Sequence, residues 1–266
     1  MIRDITIGQY YPADSLLHRL DPRVKLMAAA CYIVSLFLFR NAAGLAAVTL
    51  GLAGMVWLSK VPFRYMVKGL RAILVILAIS ALFQLFLTPG ETLVAFWKLK
   101  ISREGLVNAA FMVVRLTYLV LGSSLLTLTT TPNQLTDGLE KALSPLGKIH
   151  VPVHEVTMMM SIALRFIPIL MEETDKIMKA QLARGADFES GSLVKKAKSM
   201  LPLLVPLFVS AFRRANDLAM AMEARCYRGG EGRTKMKPLC YHQRDGLAYL
   251  AVAGYFAAVL FLRRDL

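Results

Sequence analysis

Apolar residues in this chain gather in runs separated by short polar stretches. Five runs are candidate membrane spans: 26–39, 42–58, 72–87, 106–128 and 246–262. Several are shorter than the ~20 residues a perpendicular helix needs, so their ends extend into flanking residues. Val24 and Lys25 can lengthen the first, with the lysine stem lying along the span and its ammonium reaching water. Arg40 and Asn41 make the turn of a hairpin between the first two spans.

Two further apolar runs, 156–171 and 201–212, read differently. The first contains Arg165 and Pro168, and the second is short, with Pro202 and Pro206 in or beside it. If both crossed, Lys176, Lys179, Arg184, Lys195, Lys196 and Lys198 would lie on the outer side between them. Both are therefore expected at the interface or packed on the bundle.

The stretch 129–230 around those runs predicts helices. Thr131 is placed to cap a helix that Pro132 opens, with Asp137 and Glu140 nearby. Ser144-Pro145-Leu146-Gly147 breaks that helix. A second helix is predicted from near Val153 to Gly185, kinked at Pro168. A third starts around Leu193 or Leu201 and ends near Arg225, before Gly229, Gly230 and Gly232. The expected fold class is all-α, a polytopic membrane helical bundle of about five spans with a cytoplasmic helical module. Residues 1–128 hold an N-terminal cytoplasmic segment and four spans, 129–245 the module, and 246–266 the last span.

Composition agrees with a membrane protein. Hydrophobic residues make up 56% of the chain, mean hydropathy is +0.51, and charge is 19% against roughly 25% in soluble domains. The net charge of +14 would suit a nucleic-acid binder, but the basic residues flank apolar runs, the pattern that orients membrane proteins. No nucleic-acid partner is expected. With the N-terminus inside, segments 1–25, 60–71 and 129–245 hold 25 of the 32 Lys and Arg. The first 23 residues are polar with no cleavable pattern, so the first run is expected to be a retained span. Cys31, Cys226 and Cys240 have the spacing of neither a disulfide framework nor a zinc site.

No catalytic set emerges. Gly147-Lys148 runs into Ile149 and lacks the earlier glycine of a phosphate-binding loop. Gly122-Ser123-Ser124-Leu125 lacks the spacing of a nucleophile elbow. His150 and His154 have Pro152 between them and no third ligand nearby, so a helix-start role outweighs a metal site. Arg115, a charge inside a span, is either functional or packed against backbone carbonyls.

Two short stretches stand out: Ala183-Arg184-Gly185 and, 41 positions later, Ala224-Arg225-Cys226. Alone, the first fits an ordinary helix end, with Arg complementing the dipole and Gly closing the turn. The repeat suggests more. Ala180 aligns with Ala221, Ala183 with Ala224 and Arg184 with Arg225, so small residues flank a permanently charged guanidinium at both ends. That arrangement lets a helix end approach a partner closely while Arg engages a carboxylate. Met158, Met159, Met160, Met171, Met178, Met220 and Met222 add a soft apolar surface, although core packing is the ordinary fate of any one of them.

Here the chain resembles the transmembrane T component of energy-coupling factor (ECF) transporters, the vitamin and metal-ion importers of prokaryotes. The resemblance runs from Gly8-Gln9-Tyr10 and the opening Asp14-Ser15, His18-Arg19-Leu20-Asp21-Pro22-Arg23 to about Gly230. It takes in Leu128-Thr129-Thr130-Thr131-Pro132, Ser161-Ile162-Ala163-Leu164-Arg165-Phe166-Ile167-Pro168, Met178-Lys179-Ala180-Gln181 and Pro202-Leu203-Leu204-Val205-Pro206-Leu207.

The resemblance implies a non-catalytic scaffold in the prokaryotic cell membrane, N-terminus cytoplasmic. It would join a membrane-embedded substrate-binding S component to two ABC-type ATPase subunits, which would themselves bind ATP and Mg; this chain would need no cofactor. Residues 129–245 would form the coupling-helix module. Ala183, Arg184, Gly185, Ala224, Arg225 and Cys226 would end the helices that dock on the ATPases. Cys226 departs from the family's usual glycine, which puts the backbone there in question. Pro168, Pro202 and Pro206 are candidate hinges, or simple helix interruptions. The rival readings are a self-sufficient secondary transporter, expected to show internal repeats and midplane charges, and a membrane-bound enzyme, for which no catalytic set is found.

Overall fold

The structure is a computed structural model and describes residues 10–38, 41–89, 92–96, 99–188, 192–230, 236 and 238–264. The described elements are α1 (Pro22–Leu38), α2 (Ala42–Ser59), α3 (Phe63–Leu87), β1 (Thr92–Phe96), β2 (Leu99–Ser102), α4 (Arg103–Thr129), α5 (Pro132–Leu143), a 3₁₀ segment (Ser144–Ile149), α6 (Val153–Ala183), α7 (Leu193–Ser199), α8 (Leu201–Ala224) and α9 (Gln243–Arg264). The fold is all-α apart from one antiparallel hairpin, β1–β2, which pairs Val94 with Ile101 and Phe96 with Leu99. The apolar-run pattern does not predict that hairpin, because its strands are too short to register as runs.

The chain forms two compact units. One takes in Gly8–Lys141 and Leu239–Leu266, the other Ala142–Pro238. Helix α5, expected with the polar module, packs instead on the start of α1. A Cβ on Gly138 would lie 2.9 Å from Pro22 Cβ and 3.1 Å from Leu26 Cδ1, so only glycine fits there unless its neighbours shift. A reciprocal capping box starts α5: Gln134 N–H donates to Thr131 Oγ1 (3.3 Å) and Thr131 N–H to Gln134 Oε1 (3.2 Å), satisfying two donors that the first turn would leave unpaired.

Within the first unit, α4 packs on α1, α2 and α3, and α9 packs on α1 and α2. The expected hairpin of α1 and α2 is thus braced by α4 and α9, which each of them contacts more extensively than the other. Its turn at Arg40 lies outside the described residues. Tyr32, Leu36, Val48, Leu52, Met66, Leu121, Leu125 and Val259 form the buried core. Polar groups threaded through it find partners, as backbone and hydroxyl groups away from water must. Tyr32 Oη donates to Tyr118 O (3.1 Å), and Ser35 and Tyr255 hydroxyls meet at 2.7 Å; outside the core, the exposed Thr49 hydroxyl meets that of Tyr118 at 2.9 Å. Gly122 lies so close under the Tyr32 ring that any Cβ there would overlap it.

At one end of this bundle buried charges stitch α1 to α4 and α9. Lys25 Nζ donates to Thr129 O (2.9 Å) and His18 O (3.2 Å). Asp245 accepts from the backbone N–H of Asp21 (2.9 Å) and of His242 (2.8 Å). The last of these satisfies a free donor at the start of α9.

Among the described residues, four helices are long and apolar enough to cross a membrane: α2, α4, α6 and, over Gln243–Leu262, α9. Helix α1 has 17 residues, and the apolar part of α3 is the shorter stretch Ile73–Phe86. Helix α6 meets the measure although its apolar run was expected at the interface, because the helix begins at Val153, ahead of that run, and continues unbroken through Pro168.

Candidate functional site: two arginine-capped helix ends

The unit Ala142–Pro238 is built on α6 and α8, which run antiparallel. Gln181, near the end of α6, meets Pro202 at the start of α8. Glu173 meets Ser210 and Arg214, and Ile162 and Met222 line one cleft. After α8 the chain turns back onto the start of α6, with Gly229 at φ +91° and Gly230 against His154. The two ends singled out from the sequence therefore stand at opposite ends of the helix pair.

Each end closes in the same way. Helix α6 stops at Ala183 with Arg184 as its cap (φ −89°, ψ 8°) and Gly185 at φ +83°. Gly185 N–H donates to Leu182 O and Ala186 N–H to Gln181 O, both at 3.0 Å. Helix α8 stops at Ala224 with Arg225 as its cap (φ −92°, ψ 16°) and Cys226 at φ +55°. Cys226 N–H donates to Glu223 O at 2.8 Å and Tyr227 N–H to Met222 O at 3.0 Å. These are two Schellman caps, each using a left-handed residue to satisfy carbonyls the helix end would leave open. Cysteine in place of glycine does not change the backbone at the second end; it adopts the positive φ at a steric cost of about 1–2 kcal/mol.

The charged groups point outward. Arg184 and Arg225 are exposed, as are Ala180, Ala183, Ala221 and Ala224. Neither guanidinium has an ion-pair partner among the described residues. Each end thus presents an exposed arginine beside two exposed alanines.

The candidate hinges divide by position. Pro202 sits in the first turn of α8, where its missing N–H costs nothing. Pro168 lies inside α6 and Pro206 inside α8, where each removes one intrahelical donor. The carbonyl that residue 206 would otherwise engage is that of Pro202, and Gln181 Nε2 donates to it at 3.3 Å.

Sequence motifs alone miss the residues at the helix crossing. Glu173 Oε1 accepts from Ser210 Oγ at 2.8 Å, and Glu173 Oε2 pairs with the Arg214 guanidinium. A signal existed: Glu173 and Arg214 are 41 positions apart, the same offset that relates the two arginine ends. Among the described residues no three His, Cys, Asp or Glu side chains gather in a metal-binding group. Arg115 stands with its guanidinium 5.8 Å from the centre of the Phe37 ring.

The fold and this site define a polytopic helical membrane protein carrying an exposed helix pair with matched arginine ends. Residues 13–236 match the family model described as cobalt transport protein. Three relatives named energy-coupling factor transporter transmembrane protein EcfT extend the match. That of Clostridium kluyveri is 57% identical over 94% of this chain and 93% of its own length. That of Heliobacterium modesticaldum is 50% identical over the whole of both chains, and that of Bacillus subtilis is 48% identical over 99% of this chain and all of its own. The chain belongs to this family of ECF transporter transmembrane components.

Proposed function

We propose that this chain is the non-catalytic coupling subunit of an ECF-type ABC importer. It joins two cytoplasmic ATPases to a membrane-embedded S component that binds the vitamin or other micronutrient. The observation that carries this reading is the pair of matching arginine caps. They stand at opposite ends of one antiparallel helix pair, each exposed and flanked by alanines.

Two equivalent ends suit two related partners. Glu173 precedes Arg184 by eleven residues, and Arg214 precedes Arg225 by the same number. At 1.5 Å per residue each arginine lies about 16 Å from the crossing, so the two stand on the order of 30 Å apart. Each arginine engages an acidic group in a cleft of one ATPase, with Ala183 and Gly185, or Ala224 and Cys226, allowing close approach. ATP and Mg are held by the ATPases, and this chain needs no cofactor of its own. Closure of the ATPases shifts the caps, Pro168 and Pro206 allow the helices to bend, and the bundle passes the shift to the S component.

The bundle sits in a prokaryotic cell membrane with its N-terminus inside, as the basic residues imply. Helix α6 then lies at the cytoplasmic face with α8. Its second half carries Glu172, Glu173, Asp175, Lys176 and Lys179, charges too costly to leave in lipid.

Co-purification from mild detergent extracts of the source cell tests the reading, with Arg184→Glu/Arg225→Glu alongside. Wild type is expected to bring down two Walker-type ATPases and a small hydrophobic protein, and the double variant to lose the ATPases. Losing one partner of a desolvated charge pair costs about 2–5 kcal/mol per site, enough to release them. A folded wild type that recovers no ATPase, or a double variant that keeps both, overturns the proposal.

A further inference from the structure

The contact between Glu173 on α6 and Ser210 and Arg214 on α8 differs in kind from the packing around it. Both carboxylate oxygens are used, one by each partner. The partners sit four residues apart, on successive turns of one face of α8. Two bonds to one planar carboxylate from two turns fix both how far α8 can slide along α6 and how far it can roll.

The surrounding interface does not supply that restraint. Beside the crossing, α6 and α8 part to leave a cleft of about 280 Å³ whose walls include Ile162, Phe166, Leu170, Ala211 and Leu218. Loosely filled apolar surface is non-directional and tolerates sliding, whereas close-packed surface does not. Arg214 forms part of the same wall, so the polar link stands at the edge of the gap. A second side-chain bond between the two helices, Gln181 to Pro202, lies toward the end of α6 and is exposed.

From this geometry we infer that Glu173, Ser210 and Arg214 form the fulcrum of the coupling module. They are positioning residues that hold α6 and α8 at a fixed crossing, midway between the two arginine ends, so that the ends move together as one lever. The inference rests on the docking role proposed above. With arms of about 16 Å on each side, a 10° tilt of the locked pair about this point displaces each arginine by about 3 Å. A slipping crossing would absorb that motion, and movement of the ATPases would no longer reach the membrane.

The test uses the whole transporter, purified with its ATPases and reconstituted in liposomes. It reads ATPase recovery, ATP hydrolysis, and uptake from a panel of radiolabelled vitamins per ATP hydrolysed. Glu173→Gln, which keeps the acceptor for Ser210, and Arg214→Gln should retain the ATPases and hydrolyse ATP near the wild-type rate. Their uptake per ATP should fall about tenfold, the equilibrium effect of losing one charge-assisted hydrogen bond. Ser210→Ala, the variant least able to disturb folding, should lose less, about threefold. The exchanged pair Glu173→Arg/Arg214→Glu should recover much of the loss, which a merely structural defect would not allow. Wild-type uptake per ATP in Ser210→Ala and Glu173→Gln, with the ATPases retained, would overturn the fulcrum. So would single variants that lose coupling while the exchanged pair recovers none of it. Failure of the docking reading shows separately, as wild type without ATPases.

Discussion

Gln181 donates its side-chain amide to the main-chain carbonyl of Pro202, across 3.3 Å, and that is the carbonyl which Pro206 leaves without its usual helical donor. The same residue's own carbonyl accepts the Ala186 N–H that closes the first arginine cap. Gln181 therefore links the arginine end of α6 to the proline-weakened start of α8. Gln181→Leu is expected to lower stability by about 0.5–1 kcal/mol, at the low end for a hydrogen bond because the site is exposed. Pro206→Ala restores the helical donor and should make the side-chain bond redundant. Thermal unfolding in detergent of both single variants and the double should therefore show non-additive effects. Strict additivity would mean that Gln181 does not serve that carbonyl.

The two caps predict opposite responses to exchange at equivalent positions. Cys226 holds φ +55°, a conformation that glycine enters without steric cost. Cys226→Gly should stabilise the chain by about 1 kcal/mol, part of the steric relief being offset by glycine's greater freedom when unfolded. Gly185→Ala should destabilise by a similar amount through φ +83° alone, since a Cβ there meets nothing within 4 Å. Denaturant midpoints measured in one detergent compare the two.

Close helix packing in the bundle gives a third prediction. Gly122→Ala places a methyl group against the buried ring of Tyr32, and overpacking of this kind costs about 1–3 kcal/mol. Gly54→Ala is the control: no atom lies within 4 Å of its Cβ position, and alanine is the better helix former by about 1 kcal/mol. The first variant should melt below wild type and the second at or above it.

His18 carries a pH dependence. Its Nδ1 meets Ser15 Oγ at 2.6 Å and its Nε2 meets the Tyr11 carbonyl at 3.0 Å. A carbonyl only accepts, so Nε2 bears the proton and Nδ1 accepts from the serine. Burial lowers the pKa below the usual 6.5, because the charged imidazolium is the form that desolvation disfavours. The unfolded chain then binds a proton more readily than the folded one. This contribution to stability is present above pH 6.5 and is lost as pH falls through that value toward the lower folded pKa, then levels off. Melting temperatures of wild type and His18→Gln between pH 7.5 and 5 should differ in slope, with wild type falling faster on acidification.

The helix ends were legible because they are local events. Proline at 132 after a threonine, and alanine, arginine and a small residue at 183–185 and 224–226, set backbone hydrogen bonds within a few residues of themselves. The apolar runs that became α2, α4 and α9 were equally plain, since span length follows from composition. Only the folded chain revealed that Cys226 takes the glycine conformation. The competing steric cost is small enough for two cap hydrogen bonds to outweigh it.

What the sequence by itself determined, then, is that α2, α4 and α9 are long and apolar enough for lipid, and where two arginines stand at matched helix ends. The tertiary structure decided which helix lies against which. Asp245 caps α9 beside Asp21, 224 positions earlier in the chain. Gly122 makes room for Tyr32, α5 packs on α1, and Glu173 finds Ser210 and Arg214. The reason is physical: among helices of similar greasiness the hydrophobic effect does not rank partners, and pairing falls to the fit of small residues under rings and to a few buried hydrogen bonds. Those depend on atoms far apart in sequence, brought together only by the fold.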